Sequence, residues 1–248
     1  MRQFFIHTIT LLAVVLATTT ISAQENSSFN EVKQITDDIR LKYAPDKRVA
    51  IFNIGYTVQQ NSVTLTGRTT QEDAHAALIK TLRDKGYAVT DNVTLLPNRK
   101  VHGETIYGII NISTCALRSS ADYSSEMVTQ ALLGMPVKII ERDGWYHIQT
   151  PDNYLAWTHR VGIHPVTREE LSAWNAAEKV IVTGHHGWVY ATPKVGSDVI
   201  SDVAGGCRLR HIGQKGKFYH VAYPDPLFFL EGYFYPILVC VANIESKI

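Results

Sequence analysis

At 248 residues the chain has room for one large domain or for two to three small ones. Its composition is that of an ordinary globular protein, 45% hydrophobic and 19% charged, with a formal net charge of +1. So close a charge balance excludes bulk attraction to nucleic acid or to an anionic membrane surface as the main mode of action.

In chain order the first feature is an export leader. Arg2 gives a positive start, Phe4 to Thr18 is almost continuously apolar, and Ile21-Ser22-Ala23 offers a small-residue cleavage context. The apolar run is shorter than the roughly 20 residues that span a bilayer, so residues 1–23 are expected to be a cleaved signal peptide. The remainder is then exported, to the periplasm or the extracellular side. No Cys follows the run, so a lipid-modified N-terminal cysteine is not expected.

The next segment, 24–97, reads as a small two-layer domain. Ser28 and Glu31 have capping-box spacing, and Phe29, Val32, Ile35 and Ile39 recur at helical intervals up to Pro45. Ala50 to Val58 alternates as a half-buried strand, and Gln59 to Ser62 turns into a second strand with Val63 and Leu65 on one face. Thr69 and Glu72 suggest a second capped helix, with an apolar stripe of Ala74, Ala77, Leu78 and Leu82. Gly86 is placed to end that helix, and Tyr87 to Leu96 reads as a last strand. The predicted order is α-β-β-α-β.

The run "VAIFNIGYTVQQNSVTLTGRTTQEDAHAALIKTLRDKGYAV" resembles the BON family of bacterial envelope domains, with its strand, tight turn, "V-x-L-x-G", helix and strand. The resemblance implies a lipid- or envelope-binding module without catalytic residues. A generic α/β layer that only packs against its neighbours fits the same residues.

After a polar connector containing Pro97, Asn98, Arg99, Lys100 and Gly103, short strands separated by turns predict a small barrel over residues 98–165. Thr167 and Glu170 then form a capping box that opens a helical linker, 166–178, and a second β-rich segment covers 179–248. With an offset of 72 residues, "LRSSADYSSEMVTQALLG" pairs with "VYATPKVGSDVISDVAGG"; after one inserted residue "WYHIQTPD" pairs with "FYHVAYPD". Two copies make a tandem pair, too few for a solenoid. The expected fold class is multidomain α+β: an αββαβ layer followed by two β-barrels.

Both copies resemble bacterial SH3 domains, the first through "LRSSADYSSEMVTQALLGMPVKII" and "DGWYHIQTPDNYLAW". Leu117, Val137, Ile139, Tyr146, Ile148 and Leu155 supply the alternating inward side chains that a small barrel needs. The whole order resembles the front half of NlpC-type papain-like cysteine peptidases of the dipeptidyl-peptidase VI group. That resemblance implies action on peptidoglycan stem peptides, with the first barrel helping to wall the substrate pocket.

The chain departs from those peptidases in two ways. Their nucleophile lies in "D-C-S-G" and is activated by a His, and no such motif occurs here. Cys115, Cys207 and Cys240 are widely spaced and read as small buried hydrophobes. The adjacent His185 and His186 point to opposite sides of a strand and no pair has zinc-site spacing, so no metal, no cofactor and no catalytic residue are expected. The end, "PLFFLEGYFYPILVCVANIESKI", is unusually apolar. Either Gly232-Tyr233 supplies a late closing strand, or the second barrel has a divergent or truncated end.

The expected function is therefore exported, non-catalytic recognition of peptidoglycan or its stem peptides, with an envelope lipid as a further partner through the BON-like domain and no nucleic acid. The alternatives are a truncated or fragmentary NlpC-type peptidoglycan endopeptidase and an envelope interaction scaffold. Candidate ligand contacts are Arg118, for a carboxylate, and Trp145, Tyr146, Tyr154 and Trp157, for stacking.

Overall fold

The computed structural model describes residues 26–224, 231–234 and 239–242, so the leader assigned to residues 1–23 lies outside the described residues. The chain divides into two compact units, 1–96 and 97–248.

In the first unit the elements follow the predicted order. Helix α1 (residues 26–43) precedes β1 (Phe52–Gln59), β2 (Ser62–Thr69), α2 (Glu72–Asp84) and β3 (Ala88–Leu95). The β1–β2 hairpin is antiparallel and turns through Gln60 at positive φ. The β2–β3 pair is parallel, which requires a crossover, and α2 provides it. Val32 and Ile35 of α1, Val63 and Leu65 of β2, and Leu78 and Leu82 of α2 form one core. The "V-x-L-x-G" pattern has a physical cause: Val63 and Leu65 point inward, while Gly67, at φ +110°, leaves no room for a side chain. A Cβ there would lie 2.1 Å from the carbonyl oxygen of Asn53.

Both predicted capping boxes of this unit are replaced by other contacts. Ser28 lies within α1, and Glu31 accepts a hydrogen bond from the Tyr87 hydroxyl at 2.9 Å. Gln71, not Thr69, is the N-cap of α2 and makes no side-chain cap bond. Thr69 is fully buried; its hydroxyl donates to Ile51 O at 2.7 Å and accepts from Gln71 N at 3.0 Å.

The second unit opens with the one-turn helix α3 (Arg99–His102) and then carries a seven-stranded antiparallel sheet. Its strands are β4 (Tyr107–Ile110), β5 (Thr114–Arg118), β6 (Met127–Leu132), β7 (Pro136–Asp143), β8 (Trp145–Gln149), β9 (Leu155–His159) and β10 (Ile163–Val166), in the order β10-β4-β7-β8-β9-β5-β6. Helix α4 (Arg168–Ala176) follows, with the Thr167–Glu170 capping box in place. A second seven-stranded sheet then runs through β11 (Lys179–Val182), β12 (His186–Tyr190), β13 (Val199–Ala204), β14 (Arg208–Lys215), β15 (Phe218–Ala222), β16 (Glu231–Phe234) and β17 (Val239–Ala242). Its order, β17-β11-β14-β15-β16-β12-β13, repeats the first sheet strand for strand. The apolar tail thus provides the counterparts of β9 and β10: β16 pairs with β15 and β12, and β17 with β11.

Among the described residues neither sheet closes into the expected barrel. Strands β6 and β10 stand at opposite ends of the first order, and β13 and β17 of the second. On the far side of the first sheet β5 meets β9 through one pair, Arg118 with Trp157, because a register shift at Leu117/Arg118 turns the strand there.

The two sheets and α4 are joined into one unit, so α4 is more than a linker. Leu171 and Trp174 are buried against Ile106, Tyr107, Ile109 and Val166. The Trp174 indole donates to Gly134 O at 3.2 Å, Arg208 N donates to Leu133 O at 2.9 Å, and Leu133 enters the core of the second sheet. Equivalent positions of the repeat hold the two ends of α4: the Tyr107 hydroxyl accepts from Arg168 at 2.6 Å, and the Lys179 ammonium donates to the Trp174 and Ala177 carbonyls.

Candidate binding face

One face of the first sheet is its core side, lined by Leu117, Val137, Ile139, Ile148 and Ala156. Side chains alternate along a strand, so the residues between these project from the opposite face. Cross-strand registers set them in a row running Glu141, His147, Trp157, Arg118, Met127 over five strands. The shift at Ile139/Glu141 brings Glu141 into this row, as the shift at Leu117/Arg118 does for Arg118.

Within the row the His147 and Trp157 rings are stacked, 4.4 Å apart at 6°, and His147 Nδ1 lies 3.4 Å from a Glu141 carboxylate oxygen. The next row pairs Asp143, Trp145 and His159. Trp145 meets His159 edge-on at 5.5 Å and Tyr123 at 4.8 Å. Tyr123 comes from the loop 119–126 and is 66% exposed.

That loop is held from within. Ser119 N donates to Glu126 O at 2.9 Å, the Ser125 hydroxyl donates to Ser120 O at 3.0 Å, and Arg118 Nη1 donates to Ser125 O at 2.7 Å. Asp122 accepts from the Ser124 amide and hydroxyl at 2.7 and 2.9 Å. These two bonds, the amide first, hold its carboxyl below the usual carboxylate range.

Of the five residues singled out in the sequence, Arg118, Trp145 and Trp157 share this outer face. Tyr146 and Tyr154 instead pack against the core cluster. Sequence reasoning passed over Glu141, His147, His159 and Tyr123. The signal for two of them was present, since His147 and His159 stand two residues beyond Trp145 and Trp157 and therefore share their face. The result is a partly covered face of stacked and edge-on rings, flanked by a carboxylate and a guanidinium; the His147 and Glu141 side chains are only 14% and 16% exposed, and the face opens at Tyr123 and Met127. It suits a planar or ring-bearing polar ligand held by stacking and hydrogen bonds.

The two described thiols are placed for packing, and the Cys240 side chain lies outside the described residues. Cys115 and Cys207 are buried and free; Cys115 Sγ lies 3.0 Å from the Thr158 hydroxyl, and Cys207 Sγ lies 3.3 Å from Ser113 O. Burial pushes both thiols up, the opposite of an activated nucleophile. Among the described residues no cluster of His, Cys, Asp or Glu is arranged to hold a metal ion. The first unit has a cavity of ≈ 570 Å³ lined by Arg40, Pro45, Asp46, Arg48 and Phe52 among others. Its guanidiniums already have carboxylates: Arg48 bonds Asp46 at 2.8 Å, and Arg40 lies 3.7 Å from Asp37.

Residues 117–160, the stretch that carries this face, match the family described as the bacterial dipeptidyl-peptidase SH3 domain. Among solved structures the chain is similar to an NlpC/P60 family protein from Bacillus cereus, at 16% identity and a TM-score of 0.45 over 55% of this chain and 56% of that one. It is also similar to an NlpC/P60 endopeptidase from Photobacterium damselae subsp. piscicida, at 11% identity and a TM-score of 0.42 over 87% of this chain and 54% of that one. The chain spans about half the length of these solved structures. No curated protein matches it.

Proposed function

We propose that the chain is a cell-wall recognition protein that binds peptidoglycan, through its stem peptides or glycan, on the outer face of the first sheet, and does not cut it. One observation carries this: the row Glu141–His147–Trp157–Arg118 falls wholly inside the stretch that matches the SH3 domain of bacterial dipeptidyl-peptidases. Stacked rings give affinity for a ring or a peptide plane, and the flanking charges give direction along the face. Sequestered thiols at Cys115 and Cys207 support binding over peptide cleavage. In the same reading the protein is exported, to the periplasm or beyond, and its first unit serves as the envelope module that the BON resemblance implies.

The test is co-sedimentation of the purified protein with isolated sacculi, with the supernatant assayed for freed peptides. Retention on sacculi without peptide release is the expected result. Protein left in the supernatant would contradict wall binding, and thiol-dependent peptide release would contradict the non-catalytic part.

A further inference from the structure

Arg118 is the cation that the sequence offers to a ligand carboxylate, yet its guanidinium is turned to the backbone of its own loop. A second cation shares the face without such an engagement. Lys138 of β7 stands between Tyr107 of β4 and Gln149 of β8. Gln149 lies two residues beyond His147 and on the same side of β8, so Lys138 is one row, about 7 Å along the strand, from the Glu141–His147–Trp157 row. The Lys138 side chain is half-buried. Among the described residues its ammonium has neither a carboxylate partner nor a hydrogen-bond acceptor.

Arg99 of α3 is close enough to act on Lys138 as a second cation. Burial first, and then the Arg99 guanidinium, hold the Lys138 ammonium below its ordinary range. Helix α3 is fixed over β7 by Arg142 Nη2, which donates to His102 O at 2.5 Å. The carboxylate near Arg99 is Glu104, at 3.6 Å and with its side chain 78% exposed, where solvent weakens the pairing. An ammonium that loses water and gains only a like charge is unfavourable until an anion joins it.

We propose that Lys138 and Arg99 form an anion site at the α3 end of the binding face, taking a carboxylate or phosphate group of the ligand that lies along Trp157. The inference rests on the reading of that face as the binding surface. The two cations divide the work: the planar guanidinium grips two oxygens, and the compact ammonium neutralises them. An acidic side group of a stem peptide and a phosphate-bearing wall polymer both present this chemistry.

The probes are inorganic phosphate and succinate, each titrated at constant ionic strength while the Lys138 Cε–Hε resonance of the whole chain is followed by NMR. A saturable shift with either probe, abolished in Arg99→Gln and absent with chloride, is expected. The stronger probe identifies phosphate or carboxylate as the source. Loss of the shift with both probes, or a shift that Arg99→Gln leaves unchanged, overturns the site. Sacculi retention is measured in parallel and should fall roughly tenfold in Lys138→Met, the scale of one charge-assisted hydrogen bond. Unchanged retention in that variant also overturns the proposal. Failure of the wild type to sediment is the separate failure of the binding face, and the probe titration reads independently of it.

Discussion

The two sheets of the second unit are one backbone design carrying two different outer faces. Each residue of β4 to β7 has its counterpart 72 positions later in β11 to β14. Even the loops agree: Ser119 N bonds Glu126 O where Ala191 N bonds Asp198 O, and the Ser125 hydroxyl bonds Ser120 O where the Ser197 hydroxyl bonds Thr192 O. The positions of Glu141, His147 and Arg118 are taken by Gly213, His220 and Tyr190 in the second sheet. Asp122 and Tyr123 of the loop become Lys194 and Val195. The exposed indole of the second sheet is on another strand, at Trp188 of β12, beside His186 at 5.0 Å. Only the inward positions and the turn hydrogen bonds are needed to build the sheet, so the outward positions are free to diverge. Function is to be sought where they diverge.

The largest expected effect tests the join between the copies. Gly134 and Gly206 are counterparts, both at positive φ. A Cβ at Gly134 would lie 2.1 Å from Arg208 O, whereas one at Gly206 meets the mobile end of Leu132 at 2.7 Å. Gly134→Ala should therefore cost about 2–4 kcal/mol and Gly206→Ala about 1–2 kcal/mol, read from urea unfolding of each variant. Equal costs would mean that the join does not depend on this close backbone approach.

The two anchors of α4 come next. Lys179→Met removes charge-assisted bonds to buried carbonyls and should cost about 1–3 kcal/mol, against about 1 kcal/mol for Tyr107→Phe. Burial first, then Arg210 and Arg208, push Lys179 down to about 8 from 10.5. Between those values the unfolded chain keeps a proton that the folded chain has released, so stability rises with pH across this window. Lys179→Met should lack that rise when unfolding free energies are compared from pH 8 upward.

Binding follows. Trp157→Ala should weaken sacculi retention roughly tenfold, equivalent to about 1.4 kcal/mol, while His220→Ala on the second sheet should leave it unchanged. The smallest effect concerns the loops. The Asp122 carboxyl is depressed, so its contribution is present above the ordinary carboxylate value and fades as pH falls through the lower folded value. Acid should loosen Tyr123 from Trp145, seen in the indole fluorescence, and Asp122→Asn should remove that response. In the second loop the position of Asp122 is taken by Lys194, which brings no carboxyl.

The repeat could be read from the sequence because its signals are backbone signals. Gly134 and Gly206 fall at the same offset, and the one-residue insertion before Phe218 separates β15 from its counterpart by 73 positions, not 72. The tail strands were harder to place, because the gap between β15 and β16 is longer than that between β8 and β9 and breaks the alignment. Sheet closure depends on long-range pairing that no local pattern encodes, and here the order stays open. Capping spacing misled at Thr69, where burial against Ile51 wins over the helix end. The site was half readable. Trp145 and Tyr146 are neighbours of the same aromatic character, and only the inward Ile148 decides that Trp145 faces out. Glu141 and Arg118 enter the row through register shifts, which sequence spacing does not announce.

Central to this account is the division of labour between the sheets, and one titration tests it most directly. Soluble muropeptides from digested sacculi are added to the isotopically labelled chain, and backbone amide shifts are followed by NMR. The account predicts saturable changes at Arg118, Tyr123, Glu141 to His147 and Trp157 to His159, with Tyr190, Gly213 and His220 unmoved. Changes confined to the second sheet, or no saturable change on either, would contradict it.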